Sequence, residues 1–234
     1  MIQRCVLYIA GLMLVLSGWP SAALAQLSIM RSFAVERAPH AEPYAIRFSE
    51  ADQTVRFELR PGDCAKQRDC ATERERVEIK EVERDPLHQL VWYRFALYLP
   101  ADYPEMSPKQ ILGQWHDGRR PALSNRYENG TLWLDLMAGA SKTTHKFPVK
   151  GFAKGAWHEL VYAIRWSPNE DGAIRAWNNG GLVTDYQGPT LSADWSKRPR
   201  FKIGIYRSHL DRFSGTPPTQ VAYVRGYSRA AAIQ

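Results

Sequence analysis

Ala122-Leu-Ser-Asn-Arg-Tyr127-Glu128-Asn129-Gly130-Thr131-Leu-Trp-Leu-Asp-Leu-Met137 decides the fold. Thr131 to Met137 reads as a short alternating strand, as does the Ala122 to Tyr127 run before it. Asn129-Gly130 supplies the two positive-φ positions of a tight turn, so the two alternating runs predict a β-hairpin.

Working outward, the same short alternating pattern recurs between turn signals. On the N-terminal side it covers Tyr44 to Phe48, Thr54 to Arg60, Arg74 to Glu81, Leu90 to Leu99 and Lys109 to His116. On the C-terminal side it covers Trp157 to Trp166, Gly172 to Trp177, Leu182 to Tyr186, Arg200 to Arg207 and Thr219 to Ser228. Asn178-Asn179-Gly180-Gly181 marks a second hairpin. No helix-period segment separates these strands, so the expected fold is all-β: an antiparallel β-sandwich of the jelly-roll, concanavalin A-like kind.

The first residues stand apart. Arg4, the apolar run Val6 to Leu16 and Ala23-Leu24-Ala25 before Gln26 have the order of an export signal. The expected organisation is therefore a signal peptide at 1–25 and a single β-domain at 26–234, periplasmic or secreted, with no membrane attachment after cleavage. Loss of Arg4 takes the formal charge from +7 to +6, and loss of Cys5 leaves Cys64 and Cys70. In an oxidising compartment those two predict a local disulfide; two thiols without a nearby histidine fall short of a zinc site.

Three polar rows share the parity of their strands. Arg74, Arg76 and Glu78 form one, Gln114 and His116 another, and Lys202, Gly204 and Tyr206 a third. A single sheet bringing them together would suit an anionic sugar. The net positive charge in an exported chain points to an acidic polysaccharide as partner, and no nucleic-acid motif accompanies it. Of the eight tryptophans, Trp92, Trp133, Trp157, Trp166 and Trp177 are expected in the core between two sheets. Trp115, odd between Gln114 and His116, should also point inward. Trp195, in a polar loop, is expected to stack on a sugar at the rim.

The ordered blocks Val55 to Asp63, Arg76-Val77-Glu78-Ile79, Trp92-Tyr93 through Tyr98-Leu99-Pro100, Gln114-Trp115-His116, the Trp157 to Gly180 segment and Phe201-Lys202-Ile203-Gly204-Ile205-Tyr206-Arg207 resemble the heparinase-type polysaccharide lyases, including glucuronan and alginate lyases. The resemblance spans nearly all of residues 26–234. It implies β-elimination on a uronate chain: a group neutralises the carboxylate, a base removes the C5 proton, and an acid protonates the leaving oxygen on C4. It further implies Arg76 and Gln114 as carboxylate binders, His116 as base and Lys202 as added positive charge; Tyr206, on the face of Lys202, is a further catalytic candidate. Arg74, Glu78, Arg200, Tyr127 and Trp195 are the accompanying candidates for substrate binding. No cofactor is required, though a structural calcium fits the fold class, and a monomer is expected.

One departure matters. Many members carry tyrosine immediately before the Phe-Lys pair, where this chain has Arg200, and Tyr206 lies roughly 13 Å along a regular strand from Lys202. Three readings stay open: His116 as sole base with Tyr206 or water as acid, Tyr127 filling in from a neighbouring strand, or a sugar-binding cleft without catalysis. A non-catalytic carbohydrate-binding protein is the second functional class. Glycoside hydrolysis is third, since it needs two facing carboxyl groups and Glu73 and Glu75 point away from Glu78.

Overall fold

The computed structural model describes residues 32–106, 109–139 and 143–231. The leader expected at 1–25 lies outside these residues. Fourteen strands form two seven-stranded sheets. The front sheet contains β1 (Phe33–Glu36), β4 (Arg74–Glu81), β6 (Lys109–His116), β7 (Pro121–Glu128), β8 (Thr131–Ala138), β9 (Thr143–Pro148) and β13 (Phe201–Ser208). The back sheet contains β2 (Ile46–Ser49), β3 (Thr54–Leu59), β5 (Leu90–Tyr98), β10 (Trp157–Arg165), β11 (Ala173–Asn178), β12 (Gly181–Gln187) and β14 (Gln220–Ala231). Their orders are β1-β4-β13-β6-β7-β8-β9 and β12-β11-β10-β5-β14-β3-β2, with antiparallel neighbours throughout.

The hairpin behaves as its sequence requires. Asn129 and Gly130 have φ of 51° and 74°, and Glu128 pairs with Thr131. Leu132, Leu134 and Leu136 are fully buried between the sheets. They meet the inward residues of the facing sheet, among them Phe57, Tyr93, Phe95, Leu97, Leu160, Tyr162 and Ile164. Trp115 does point inward, and its ring contacts Phe201, Tyr162 and Tyr93 at centroid distances of 4.7, 4.9 and 5.2 Å. That aromatic cluster joins the two sheets.

The other tryptophans correct the expectation. Only Trp166 joins Trp115 in the core. Trp92, Trp157 and Trp177 lie on the outer face of the back sheet, and Trp133 lies on the open face of the front sheet. The reason is parity: Val91, Tyr93, Phe95 and Leu97 face in along β5, so Trp92 must face out, and it is 41% exposed. The same alternation turns out Trp157 beside His158 and Leu160, and Trp133 between Leu132 and Leu134.

Cys64 and Cys70 are bonded, with Cα atoms 5.1 Å apart. The bridge closes a loop that contains Lys66, Asp69 and one helical turn, Gln67–Cys70. Both side chains reach the open face of the front sheet.

Candidate active site

Strand register assembles the site. On the open face Lys202 of β13 lies opposite Lys80 of β4 on one side and Gln114 of β6 on the other. Ser124 and Asp135 continue this row across β7 and β8. A second row runs Arg76, Tyr206, Ile111, Arg126 and Trp133. Between the rows Glu36 of β1 faces Glu78, which faces Gly204.

Gly204 permits this arrangement. Its φ is 142°, and a Cβ there would sit 2.2 Å from the Val77 carbonyl oxygen. Only glycine lets β13 approach β4 so closely. A bulge between Ile203 and Tyr206 follows on the β6 side, and it re-aims the strand so that Tyr206 stays in the row of Arg76. The Arg76 guanidinium lies 4.6 Å from the Tyr206 ring centroid.

Glu36 is the hub of the cations. Its carboxylate accepts hydrogen bonds from Lys66 at 2.7 Å, Lys80 at 2.6 Å and Lys202 at 2.8 Å. Burial would raise the Glu36 pKa, but Lys202, with Lys66 and Lys80, overrides it and holds the group well below the usual carboxylate range. Arg76 donates through Nε and Nη2 to both oxygens of Asp69, at 2.8 and 2.7 Å, and through Nη1 to Glu78 at 3.1 Å. Burial works against its charge, yet Glu78 and Asp69 more than offset this and keep the guanidinium protonated.

Arg76, expected to bind a carboxylate, has its two-pronged edge on Asp69 and its guanidinium over the Tyr206 ring. Gln114 is likewise committed: its Nε2 donates to Glu78, and the side chain is buried.

His116 lies at the other end of the polar row, lining a recess of about 210 Å³ with Lys202, Lys80, Lys66, Arg84, Lys197 and Arg200. Its Nδ1 accepts the Gly118 N–H at 3.0 Å, so the neutral ring carries its proton on Nε2. Burial first, then Lys202 and Arg76, push its pKa down to about 3. The ring is therefore a neutral donor near pH 7, with its acceptor nitrogen occupied.

Arg200 faces the same recess, and Arg74 stands on the open face opposite Ser208. Two candidates are corrected. Tyr127 is buried in the core, edge-on to Tyr103 at 5.8 Å, because β7 turns its odd residues inward beside Leu123 and Asn125. Trp195 is half-buried and packed against the core instead of standing free at the rim. Glu36, Lys66, Asp69, Lys80 and Arg126 enter the open face without having been singled out, and Trp133, expected in the core, joins them. Lys80 was readable as the next same-parity residue after Glu78. Glu36 sits on a strand of four residues, and Lys66 and Asp69 arrive through the disulfide loop. Among the described residues no group of three or more His, Cys, Asp or Glu is placed to hold a metal ion.

A family model described as "Polysaccharide lyase" matches residues 22–227. Among solved structures, the endo-β-1,4-glucuronan lyase of the fungus Trichoderma reesei superposes with a TM-score of 0.64 at 16% identity, covering 86% of this chain and 87% of that one. The alginate lyase from Corynebacterium sp. gives 0.62 at 16% identity, covering 82% and 83%. A variant of alginate lyase A1-II′ with one histidine and one tyrosine replaced, in complex with substrate, gives 0.61 at 14% identity, covering 81% and 82%. No curated protein sequence matches.

Proposed function

The chain belongs to the polysaccharide lyase family, and from that premise we propose that it is exported and cleaves a uronate-containing polysaccharide by β-elimination, with Tyr206 as the proton carrier and His116 as a neutral hydrogen-bond donor. The observation that carries the division of roles is the Gly118 N–H on His116 Nδ1, which leaves Nε2–H as the group offered to substrate.

The chemistry follows. The uronate carboxylate enters the recess beside Lys202 and Arg200 and accepts from His116 Nε2–H, which disperses the charge that builds up as C5 loses its proton. Tyr206 as phenolate takes that proton. The C5–H electrons form the C4–C5 double bond, the C4–O bond breaks, and the phenol returns the proton to the leaving oxygen. Arg76 sits over the Tyr206 ring, beside the charge that the phenolate carries.

Hydrolysis fits less well. Glu36 and Glu78 do face each other, but Glu36 is held deprotonated by three lysines and has no proton to give a leaving group. A second reading, sugar binding without catalysis, draws on Glu36 already occupying the lysine trio.

One assay separates these readings: incubation with glucuronan, alginate and heparin while following the ~235 nm absorbance of an unsaturated uronate. The lyase gives a rise on at least one polymer, and Tyr206→Phe lowers kcat by roughly 100-fold or more. No rise on any polymer, with binding retained, selects the non-catalytic reading; full activity in Tyr206→Phe removes Tyr206 as carrier.

A further inference from the structure

The outer face of the back sheet carries aromatic rings that neither the core nor the front-face chemistry uses. Trp157 of β10, Tyr98 of β5 and Tyr223 of β14 are register partners in a single row, which continues into Arg56 of β3 and Arg47 of β2. Ring centroids are 5.3 Å apart for Trp157 and Tyr98, and 5.8 Å apart for Tyr98 and Tyr223. The Arg225 guanidinium lies 4.2 Å over the Trp157 ring.

These rings wall a trough. A recess of about 490 Å³ is lined by Phe48, Arg47, Arg56, Tyr98, Trp157 and Tyr223. It shares Asp52 and Trp157 with a neighbouring recess of about 550 Å³, whose floor is the small residues Ala96, Gly226 and Ser228. It shares Arg56, Pro100 and Tyr223 with a third of about 440 Å³ on the other side. Beyond Arg94 on the same face, Trp92 stacks on Trp177 with planes 9° apart. A floor of small side chains between ring walls leaves space for a chain to lie along the sheet.

Charge selects the occupant. Arg47 and Arg225 have no carboxylate partner among the described residues, while Arg94 is shared with Glu159 and Arg56 with Glu58. Asp52 and Asp102 are the other acids of the trough, and Asp52 bonds back to Thr54. Aromatic rings take the apolar C–H faces of pyranoses, and unpaired guanidiniums take carboxylates. We propose that this trough is a second polysaccharide-binding site, holding an acidic polymer chain on the face opposite the lyase site. It takes its ligand class from the lyase reading but not its existence. A chain held there keeps the enzyme on its polymer between cuts, raising the effective concentration of cleavable bonds.

The test measures retention of residues 26–234 on cross-linked alginate and glucuronan beads, in a Tyr206→Phe background so that the polymer is not consumed. Trp157→Ala and, separately, Arg47→Ala with Arg225→Ala should each weaken retention by about fivefold or more, a loss of about 1 kcal/mol of binding. If Trp157→Ala lowers the melting midpoint by more than about 10 °C, the arginine pair, which packs no core, decides. Unchanged retention in the arginine pair overturns the proposal. So does a parent dimer, seen by sedimentation, that dissociates on Trp157→Ala, because the face is then a self-interface. If the unmodified chain yields no unsaturated product, the lyase reading fails on that assay alone, while retention still judges the trough.

Discussion

Two contacts decide what His116 offers a substrate. The Gly118 N–H takes Nδ1, and Lys202 with Arg76 stands close enough that a second proton on the ring would add positive charge to a cationic site. Burial is the larger cause of the depressed pKa and the two cations add to it. The unfolded ring titrates near 6.5, so as pH falls below that value the unfolded chain takes a proton that the folded one refuses until about 3. His116 thus withdraws stability progressively in acid, and it contributes no acid limb to kcat/KM near 6.5. Nitrogen-15 NMR of the ring should show Nε2–H at neutral pH and a transition near 3; Lys202→Met should move the midpoint upward without reaching 6.5, since burial remains. A midpoint near 6.5 in the parent would return His116 to the role of base.

At the level of elements, the short strand β1 matters more than its length suggests. Its last residue, Glu36, ties together Lys80 of β4, Lys202 of β13 and Lys66 of the disulfide loop. Removing its charge leaves three ammonium groups converging on an amide. Because the folded pKa is depressed, this stabilisation is fully present above 4.5 and is lost as pH falls below it. Glu36→Gln should therefore cost about 3 kcal/mol in urea unfolding at pH 7, and the gap to the parent should narrow at pH 4 and below. Equal stabilities at pH 7 would mean the lysines find other partners. β1 is also where the sequence was least legible. Four residues, Phe33 to Glu36, are too few to show a period, and β9 carries Lys146 and ends at Pro148, as an edge strand does. By contrast β4 and β6 stand at the bounds that alternation marked out, and the parity of Arg76, Glu78, Gln114, His116 and Lys202 held. What parity cannot convey is who holds whom: Asp69 claiming Arg76 depends on a loop folded back by a disulfide. Tyr127 was placed at the site for its hydroxyl and the outward tryptophans in the core for their size, in both cases against the phase of their own strands.

Across the whole molecule, charge is unevenly balanced. The chain carries a formal +7, and the cations beside His116 fall into two groups. Lys66, Lys80 and Lys202 share the single carboxylate of Glu36, whereas Lys197 and Arg200 have no carboxylate partner among the described residues. Arg84 donates to the Arg198 carbonyl, and burial, then Arg200 and Arg198, lowers its pKa, a sign of cations crowded against one another. A polyanion entering the recess relieves that repulsion, so part of its affinity is electrostatic and open to screening. The Debye length falls from roughly 30 Å at 0.01 M salt to about 8 Å at 0.15 M. With a short oligouronate, which samples the recess alone, raising salt across that range should raise KM by about threefold or more and leave kcat nearly constant, because the partly exposed cations attract the chain while the buried ones act on the reacting sugar. Arg200→Ser should flatten this dependence by removing an unpaired charge at the recess. A KM indifferent to salt in an active parent would mean that hydrogen bonds and stacking, with Trp133 foremost on the open face, hold the sugar instead.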